Sequence, residues 1–370
     1  MFDVIVAGAG FAGVTAARLL AENNKKVLII ERRRTPAGNC YDETNEYGIT
    51  VHKYGPHIFH TNSKRCWDFV NRFSRFNGFQ HRVLSYANGS YYPFPINRDT
   101  LGQVFGTTLS NDEVLPYLEK QVAEATFNKD IQNFRDAVVS QVGETLYDMF
   151  FNHYTRKQWG RDPQELMPEL ASRIPVRSNA DDRYFTDRYQ GLPVRGYTKL
   201  IENMLSHENI SVMYGADYFE VKDLFPAALT VFTGELDRFF DYSEGRLDYR
   251  SVKIEFETYH QEEYQPACVV NYPNDYDFTR ITEFKKMTLE ESPDTTICRE
   301  YPSAEGEKLY IVPDEKNKDC RCAYMKKVQE LEETGKYLFI GRLAEYKYYN
   351  MDAVIISALD KTQAWINSQN

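Results

Sequence analysis

Three glycines near the start of the chain have the spacing of a dinucleotide-binding turn. The apolar run Val4–Ala7 is followed by Gly8, Gly10 and Gly13, and the small residues of 14–20 predict a helix. The first glycine permits a tight turn, the second lets the backbone approach a pyrophosphate, and the third lets the helix pack on the strand. The N-terminus of that helix attracts phosphate charge.

An acidic residue completes the pattern. A second apolar run, Val27–Ile30, ends in Glu31, whose carboxylate can accept hydrogen bonds from ribose hydroxyls. The basic turn Arg32–Arg34 could hold a 2′-phosphate, but with Glu31 in the ribose position we interpret it as solvated. Strand, glycine turn, helix, strand and acid together predict a Rossmann-like domain.

Features near the end of the chain favour FAD as the dinucleotide. Gly341 and Arg342 follow an apolar strand pattern, and an amphipathic helix is predicted from Met351 with Asn350 as its N-cap. Arg342 would supply a cation for the pyrophosphate, and the helix N-terminus would face a flavin carbonyl. No motif for hydride transfer from NAD accompanies the glycine pattern.

Three further stretches concentrate polar and aromatic groups. Three histidines surround a Gly-Pro turn in 52–61, and no carboxylate or cysteine joins them at metal-ligand spacing. They are either surface histidines of a turn, or His57 and His60 lie beside the flavin. Trp159 is either a core residue or a platform on which a base stacks. The segment 165–177, bracketed by prolines, predicts a mobile lid that carries Arg173.

Composition narrows the class of protein. The chain has 370 residues, of which 42% are hydrophobic and 26% charged, with a net charge of -10. We therefore expect no nucleic-acid partner and no membrane span. The N-terminus enters a strand directly, so we expect no secretory signal. The six cysteines show no zinc-site spacing, which predicts free thiols in the cytoplasm.

Alternation of apolar and polar residues in 210–213 and 252–257 predicts an antiparallel sheet, and helical spacing dominates about 100–170. Apolar runs ending in Gly234 and Gly341 predict returns to a parallel sheet. The expected fold class is α/β: a discontinuous Rossmann-like FAD domain with inserted helical and antiparallel sheet domains. We assign 1–80, about 190–240 and 320–370 to the first, about 98–188 to the second, and about 80–97, 209–228 and 245–320 to the third.

With these motifs in place, the sequence resembles the bacterial UDP-galactopyranose mutases. Only the glycine pattern is general among flavoproteins, and the motifs run in order from residue 1 to about 365. Besides the glycine pattern, the matching stretches are Gly38–Asp42, Tyr54–Thr61, Tyr154–Trp159, Asp182–Asp187, Phe278–Arg280 and Gly341–Tyr349.

The resemblance implies a reaction without net redox change. It interconverts UDP-galactopyranose and UDP-galactofuranose through an adduct between the sugar and N5 of reduced FAD, with NAD(P)H or another donor as reductant. It also implies a cytoplasmic homodimer that supplies galactofuranose for cell-surface glycans.

Residue roles follow from the same resemblance. We assign Arg173, Arg280, His57 and His60 to catalysis. The two arginines would clamp the diphosphate, with hydroxyls from Tyr184, Tyr310 and Tyr348, and Tyr154 and Trp159 would hold the uridine. We further assign Asn271, Phe150 and Phe151 to the substrate. The remaining assignments to the cofactor are Phe11, Ala12, Arg32, Gly38, Asn39, His57, Ile58, Tyr348, Asn350 and Met351.

Two positions depart from the family pattern. Ala37 replaces a glycine, and Asn350 stands where the bacterial enzymes usually have an acid. The second departure leaves open a mutase that also accepts UDP-N-acetylgalactosamine. The residues also leave open two functions of a different class: an FAD-dependent oxidoreductase acting on a small molecule, and a non-catalytic sensor of nucleotide sugars.

Overall fold

The structure, a computed structural model, describes residues 1–173 and 175–369, apart from the side chains of Ser172 and Arg173. Within these residues it contains sixteen β-strands and twelve α-helices. The strands are β1 (Val4–Ala7), β2 (Val27–Glu31), β3 (Asp42–Thr44), β4 (Thr50–His52), β5 (Phe59–Thr61), β6 (Val83–Ala87), β7 (Ser90–Phe94), β8 (Tyr189–Gly191), β9 (Ile210–Tyr214), β10 (Leu229–Phe232), β11 (Tyr249–Tyr259), β12 (Val269–Asn271), β13 (Arg280–Glu283), β14 (Thr295–Ser303), β15 (Tyr310–Ile311) and β16 (Tyr337–Phe339).

The α-helices are spread over the whole chain. They are α1 (Phe11–Glu22), α2 (Lys64–Asn71), α3 (Arg98–Phe105), α4 (Asn111–Ala123), α5 (Phe134–Tyr147), α6 (His153–Trp159), α7 (Gly196–Leu205), α8 (Tyr218–Val221), α9 (Leu236–Phe239), α10 (Phe284–Thr288), α11 (Lys318–Glu333) and α12 (Met351–Ser368).

A five-stranded parallel sheet forms the dinucleotide-type domain. Its strand order is β16-β10-β1-β2-β9, and the central strands β1 and β2 are buried along their whole length. Helices α7 and α12 pack against α1, which lies on this sheet. The predicted returns of the chain to the sheet at β10 and β16 are confirmed, and so is the α/β fold class with its Rossmann-like domain.

The glycine turn between β1 and α1 depends on close backbone approach. Gly8 has φ +110°, which favours glycine, and a Cβ on Gly13 would lie 2.0 Å from the Gly8 carbonyl oxygen. No side chain caps α1 at Gly10, so its first N–H groups face outward from the sheet edge. The turn therefore has the shape that the glycine spacing predicts.

A second, seven-stranded sheet has the order β15-β11-β14-β13-β12-β6-β7 and is antiparallel except for the pair β12 and β6. The alternation of 252–257 is confirmed as part of β11. The assignment of 209–228 to this sheet is wrong, because β9 pairs in parallel with β2 at the edge of the first sheet. An edge strand with half-buried faces alternates like an antiparallel strand, which explains the error. The other domain bounds stay predictions.

The helical segment contains an irregular stretch before the aromatic motif of α6. Helix α4 begins at Asn111, within the span for which helical spacing was predicted. Helix α5 is kinked at Gly143, where φ is +80°, and a single π-turn over Asp148–Asn152 joins it to α6. Short π-turns rotate the side chains that follow, and here Phe150 and Phe151 lie inside the turn.

All six cysteines are free thiols, four of them buried. Among the described helices, none combines the length and apolar character needed to cross a membrane.

Gly13→Ala tests the close approach in the first turn. The added methyl group meets a backbone carbonyl, so we expect the free energy of unfolding to fall by about 1–3 kcal/mol. Denaturant unfolding measures it, with Gly78→Ala as control, because a Cβ there has open space within 4 Å. We expect the control to stay within about 0.5 kcal/mol of the wild type. Equal stability of the two variants would contradict this account of the turn.

Candidate active site

The carboxyl ends of the parallel strands open onto a first cavity of about 250 Å³. Strands β1, β2, β10 and β16 all end at its wall, as expected for ligand sites of open α/β sheets. The glycine turn, the N-terminus of α1 and the small-residue turn at Gly38 form its floor. Residues predicted for the cofactor that line it are Gly8, Gly10, Phe11, Ala12, Glu31, Arg32, Gly38, Asn39, His57, Arg342 and Met351.

Glu31 is held in place by the backbone around it. Its carboxylate accepts hydrogen bonds from the N–H of Ala9 at 2.7 Å and of Arg33 at 2.8 Å. The side chain is buried at the end of β2 and still lines the cavity. It can therefore accept further hydrogen bonds from ribose hydroxyls, as the sequence pattern predicts.

The interpretation of Arg33 as solvated is wrong, because its side chain is only 14% exposed and lines the first cavity. Two further cations of this wall, Arg238 and Lys308, were not singled out in the sequence. Arg33 donates to Asn39 Oδ1 at 3.0 Å and stacks 3.9 Å from the Tyr54 ring. Arg238 pairs with Asp217 at 2.8 Å, and Lys308 also lines the wall. The cavity is thus lined by cations in a protein whose net charge is -10.

Ala37 lies at the turn where the family pattern has glycine. It adopts φ +75°, a left-handed conformation that costs an alanine more than a glycine. Its N–H donates to the Ala9 carbonyl at 2.9 Å, which fixes the turn against the first strand. The departure from the pattern therefore keeps the turn geometry at some cost in strain.

A second cavity of about 650 Å³ lies between the parallel sheet, the antiparallel sheet and α6. Its wall combines residues that are up to about 290 positions apart in sequence. Predicted site residues that line it are His57, Ile58, His60, Phe150, Phe151, Tyr154, Trp159, Tyr184, Asn271, Arg280, Tyr310, Arg342, Tyr348, Asn350 and Met351.

The two cavities share part of their walls. His57, Arg342 and Met351 line both of them. Arg342 donates twice to the Tyr349 carbonyl, at 2.9 and 3.3 Å, and its guanidinium lies 5.4 Å from the rings of Tyr310 and Tyr348. A ligand that extends from the first cavity therefore reaches the second at these three residues.

Arg280 is the cation of the second cavity with a deeply buried partner. Its Nε donates to Glu300 Oε1 at 2.7 Å, and the Glu300 side chain is only 2% exposed. This carboxylate raises the pKa of Arg280 against the opposing effect of burial. Among the described residues, the two Nη groups of Arg280 make no hydrogen bond, so they can bind an anion bidentately.

Aromatic rings form a further part of the wall of the second cavity. Trp159 is buried and packs edge-to-face on Tyr348, with ring centroids 5.4 Å apart. Phe150 packs on Tyr92 and Phe94 from the π-turn before α6. Burial raises the pKa of the Tyr154 hydroxyl, which stays protonated and can donate a hydrogen bond. Trp159 thus belongs to the core and faces the cavity as well.

His60 lies in a chain of polar contacts at the start of α12. Its Nδ1 is 2.9 Å from Asp187 Oδ2, its Nε2 is 3.2 Å from Asn350 Nδ2, and its ring stacks on Phe185 at 3.5 Å. Asn350 occupies the predicted N-cap position, but its side chain makes no capping hydrogen bond. The Asn350 amide instead contacts the His60 ring.

Three histidines near the shared wall are held neutral. Burial lowers the pKa of His52, His57 and His81 to about 3. His57 Nδ1 is 2.8 Å from the Gly55 carbonyl, so Nδ1 carries the proton of the neutral ring. These groups are poor proton donors at neutral pH.

The predicted site residues fall into three groups. Most line the cavity to which the sequence assigned their ligand. Ile58, Tyr348 and Asn350, assigned to the cofactor, line the second cavity, and Gly13 lies beneath the turn rather than in a wall. The side chain of Arg173 lies outside the described residues, although its backbone ends a short 3₁₀ helix over Pro168–Arg173.

Sequence reasoning missed Thr233 and Gly234, which line the first cavity directly after β10. Their signal was present, because the carboxyl end of every parallel strand faces the ligand. Asp187 and Phe185 were quoted only within a motif. Among the described residues, no group of three or more His, Cys, Asp or Glu side chains could hold a metal ion.

Comparison with known proteins agrees with this arrangement. The profile of the UDP-galactopyranose mutase family matches residues 149–348, more than half of the chain, and that of an NAD(P)-binding Rossmann-like domain matches residues 6–73. The chain is 38% identical to the dTDP-fucopyranose mutase of Escherichia coli, over 100% of this chain and 99% of that protein.

A probable UDP-galactopyranose mutase of Klebsiella pneumoniae is also 38% identical, over 99% of this chain and 95% of that protein. The chain belongs to the UDP-galactopyranose mutase family. A crystal structure of reduced UDP-galactopyranose mutase superposes with a TM-score of 0.81 at 16% identity, covering 100% of this chain and 96% of that one. Membership makes the chain a mutase, an isomerase with a flavoprotein fold.

His81→Phe tests the neutral state of the buried histidines. The folded pKa of His81, about 3, lies below the unfolded value of 6.5, so unfolding takes up a proton between these values. Wild-type stability should fall as pH decreases from 7 to 5, and the variant should lose about 2 kcal/mol less. Denaturant unfolding at both pH values measures this.

Phe79→Leu is the matched control, because Phe79 packs 6.0 Å from the His81 ring and carries no titratable group. It should change stability by the same amount at both pH values. If His81→Phe shows the same pH dependence as the wild type, His81 is protonated in the folded state.

Glu300→Ala tests the buried ion pair. The variant leaves Arg280 without its carboxylate partner, so we expect the free energy of unfolding to fall by about 3 kcal/mol. This is the low end for a buried pair, because Arg280 also faces a cavity. Glu255→Ala removes the exposed pair with Lys253, whose side chain is 70% exposed, and should cost less than about 1 kcal/mol. Equal losses in urea unfolding would show that Glu300 does not stabilise Arg280.

Proposed function

We propose that this mutase interconverts UDP-galactopyranose and UDP-galactofuranose with reduced FAD. The observation that carries the proposal is the junction of the two cavities at His57, Arg342 and Met351. A dinucleotide in the first cavity would there present its flavin end to a sugar nucleotide in the second. The family and the fold support the same pairing of ligands.

The residues of the first cavity fit FAD. Glycines at 8, 10 and 38 leave the space that a pyrophosphate needs, since a Cβ on Gly38 would lie 3.0 Å from Gly10 Cα. Glu31 would accept the ribose hydroxyls and Arg342 would offset phosphate charge. When bound and reduced, the flavin supplies an electron-rich N5 that can act as a nucleophile.

The residues of the second cavity would bind the nucleotide sugar by charge and stacking. Arg280 would hold the diphosphate through its Nη groups, and Arg173 is proposed as the second arginine of the clamp. The hydroxyls of Tyr184, Tyr310 and Tyr348 would donate to the same oxygens. Tyr154 and Trp159, with Phe150, Phe151 and Asn271, would hold the base and ribose. A diphosphate leaving group is stabilised by such cations as it departs and returns.

A separate observation favours a second candidate substrate. The relatives that act, by name, on dTDP-fucopyranose and on UDP-galactopyranose are equally similar to this chain, at 38% identity over nearly all of it. A dTDP-6-deoxyhexose is therefore the second candidate substrate. UDP-N-acetylgalactosamine is a further candidate because Asn350 replaces an acid next to the shared wall.

The proposal extends to the setting of the enzyme. Six free thiols are consistent with a reducing cytoplasm, where nucleotide sugars would be supplied. The resemblance implies a homodimer and a product used for cell-surface glycans. Light scattering of the purified protein measures its mass in solution and tests whether it is a homodimer.

The central test is turnover by the protein reconstituted with FAD. After dithionite reduction under anaerobic conditions, it should convert UDP-galactose to the furanose isomer over many turnovers without consuming further reductant. The oxidised protein should be nearly inactive, because oxidised flavin lacks the electron density on N5. Chromatography and NMR of the sugar nucleotides measure this, with dTDP-fucose and UDP-N-acetylgalactosamine compared at equal concentration.

Three results would contradict the proposal in different ways. A higher kcat/KM with dTDP-fucose would reassign the substrate within the family. Reductant consumed in step with product would indicate an oxidoreductase. Tight UDP binding without turnover of any of the three sugars would indicate a sensor.

A further inference from the structure

A lysine on α6 reaches away from the cavity towards a neighbouring loop. Lys157 Nζ lies 2.5 Å from the carbonyl oxygen of Tyr272, 2.8 Å from that of Tyr276 and 3.0 Å from that of Phe278. An ammonium has three N–H donors, and the three carbonyls accept all of them. Helix α6 itself presents Tyr154 and Trp159 to the second cavity.

The loop that Lys157 binds connects two other site residues. It spans 272–279, between β12 and β13, and the last residue of β12, Asn271, is paired in register with the first of β13, Arg280. Both line the second cavity. The loop is closed by a hydrogen bond from Tyr272 N–H to the Thr279 carbonyl at 2.8 Å. The loop and the ends that carry Asn271 and Arg280 are therefore directly connected, and the contact of Lys157 with the loop sets the distance from α6 to these two residues.

The loop also packs on the antiparallel sheet, through ring contacts of Tyr272 with Tyr86 at 5.5 Å and of Phe278 with Tyr301 at 5.9 Å. Lys157 therefore fixes α6 against a loop that the sheet also supports. The rings of Tyr272, Tyr276 and Phe278 lie 5.0–5.1 Å apart, and the Tyr276 side chain is 43% exposed. A second link to the helical segment runs from Asn274 Nδ2 to the Met149 carbonyl at 3.2 Å. Of the four hydrogen bonds described between the loop and the helical segment, Lys157 donates three.

We infer that Lys157 is a positioning residue that holds α6 and the 272–279 loop in one fixed arrangement, so that the aromatic and cationic sides of the nucleotide site face each other. The inference rests on the proposed function, because it takes the second cavity as the nucleotide site. Lys157 touches neither ligand and acts through Tyr154, Trp159, Asn271 and Arg280.

The arrangement depends on the charged form of the lysine. A neutral amine has two N–H donors, so one of the three carbonyls would lose its partner. Burial lowers the pKa of Lys157 to about 8, while the carboxylates of Asp275 and Asp277 oppose that shift. The hold on the loop should therefore weaken as pH rises through this value.

Lys157→Met tests the inference in the FAD-loaded protein. We expect the Kd for UDP to rise at least tenfold, because the two sides of the site are no longer held at a fixed distance. The content and absorbance of bound flavin should not change. Lys253→Met is the matched control: Lys253 is exposed on β11 and pairs with Glu255, and its loss should leave UDP affinity unchanged. Calorimetric titration with UDP, and with dTDP in parallel, gives the Kd values.

Three readouts separate positioning from a general loss of stability. The ratio of variant to wild-type Kd should decrease between pH 7 and pH 9. Amide hydrogen exchange should be faster in 271–280 and unchanged in α1. Lys157→Cys alkylated with 2-bromoethylamine, in a Cys320→Ser, Cys322→Ser background, restores an ammonium of similar length and should restore affinity, whereas the unalkylated protein should not. If Lys157→Met does not fold, the same measurements are made on Lys157→Gln and on Lys157→Cys before and after alkylation.

Unchanged UDP affinity and unchanged exchange in 271–280 would overturn the inference. If the wild type binds neither UDP nor dTDP, the proposed function fails instead. The exchange of 271–280 then still decides whether Lys157 holds the loop.

Discussion

The paired hydrogen bonds from Arg342 to the Tyr349 carbonyl are the contact on which the site depends. They close the segment between β16 and α12, and so fix where α12 begins. Met351, the first residue of that helix, then forms a wall common to both cavities, and Asn350 reaches His60. Arg342 itself lines both cavities. The same side chain therefore fixes the backbone before α12 and places a positive charge where the two cavities meet.

Charge is distributed against the overall composition. The chain is acidic, yet cations line the first cavity and Arg280 faces the second. Arg280 avoids an isolated buried charge because Glu300 neutralises it through Nε, on the side away from the cavity. The same pairing orients the guanidinium so that its Nη groups face the cavity. An anionic ligand thus meets a cation that is already fixed, which reduces the ordering cost of binding.

The sequence predicted the parts of the structure that local geometry determines. The turn from β1 to α1 and the carboxylate of Glu31 follow from spacing alone, since Gly8 and Gly13 each have a steric reason there. The edge strand β9 was assigned to the wrong sheet because alternation reports exposure and not strand direction. That Arg280 and Tyr154 share a site was predicted from family motifs, whereas Asn271 was assigned outside any of the quoted motifs. The three carbonyl contacts of Lys157 had no sequence signal. Such contacts depend on the tertiary position of the loop, whose contacting residues are about 115 to 121 positions from Lys157 along the chain.

Two of the histidines at the second cavity are not suited to donate protons at neutral pH. His57 and His81 are neutral at physiological pH, because burial lowers the pKa of each to about 3. Asp187 is engaged with His60 and Asn62, and Glu300 with Arg280. A general acid needs a pKa near the operating pH, and these two histidines are far from it. This agrees with the proposed reaction, in which a nucleoside diphosphate leaves and returns, because such a leaving group needs cations and not a proton.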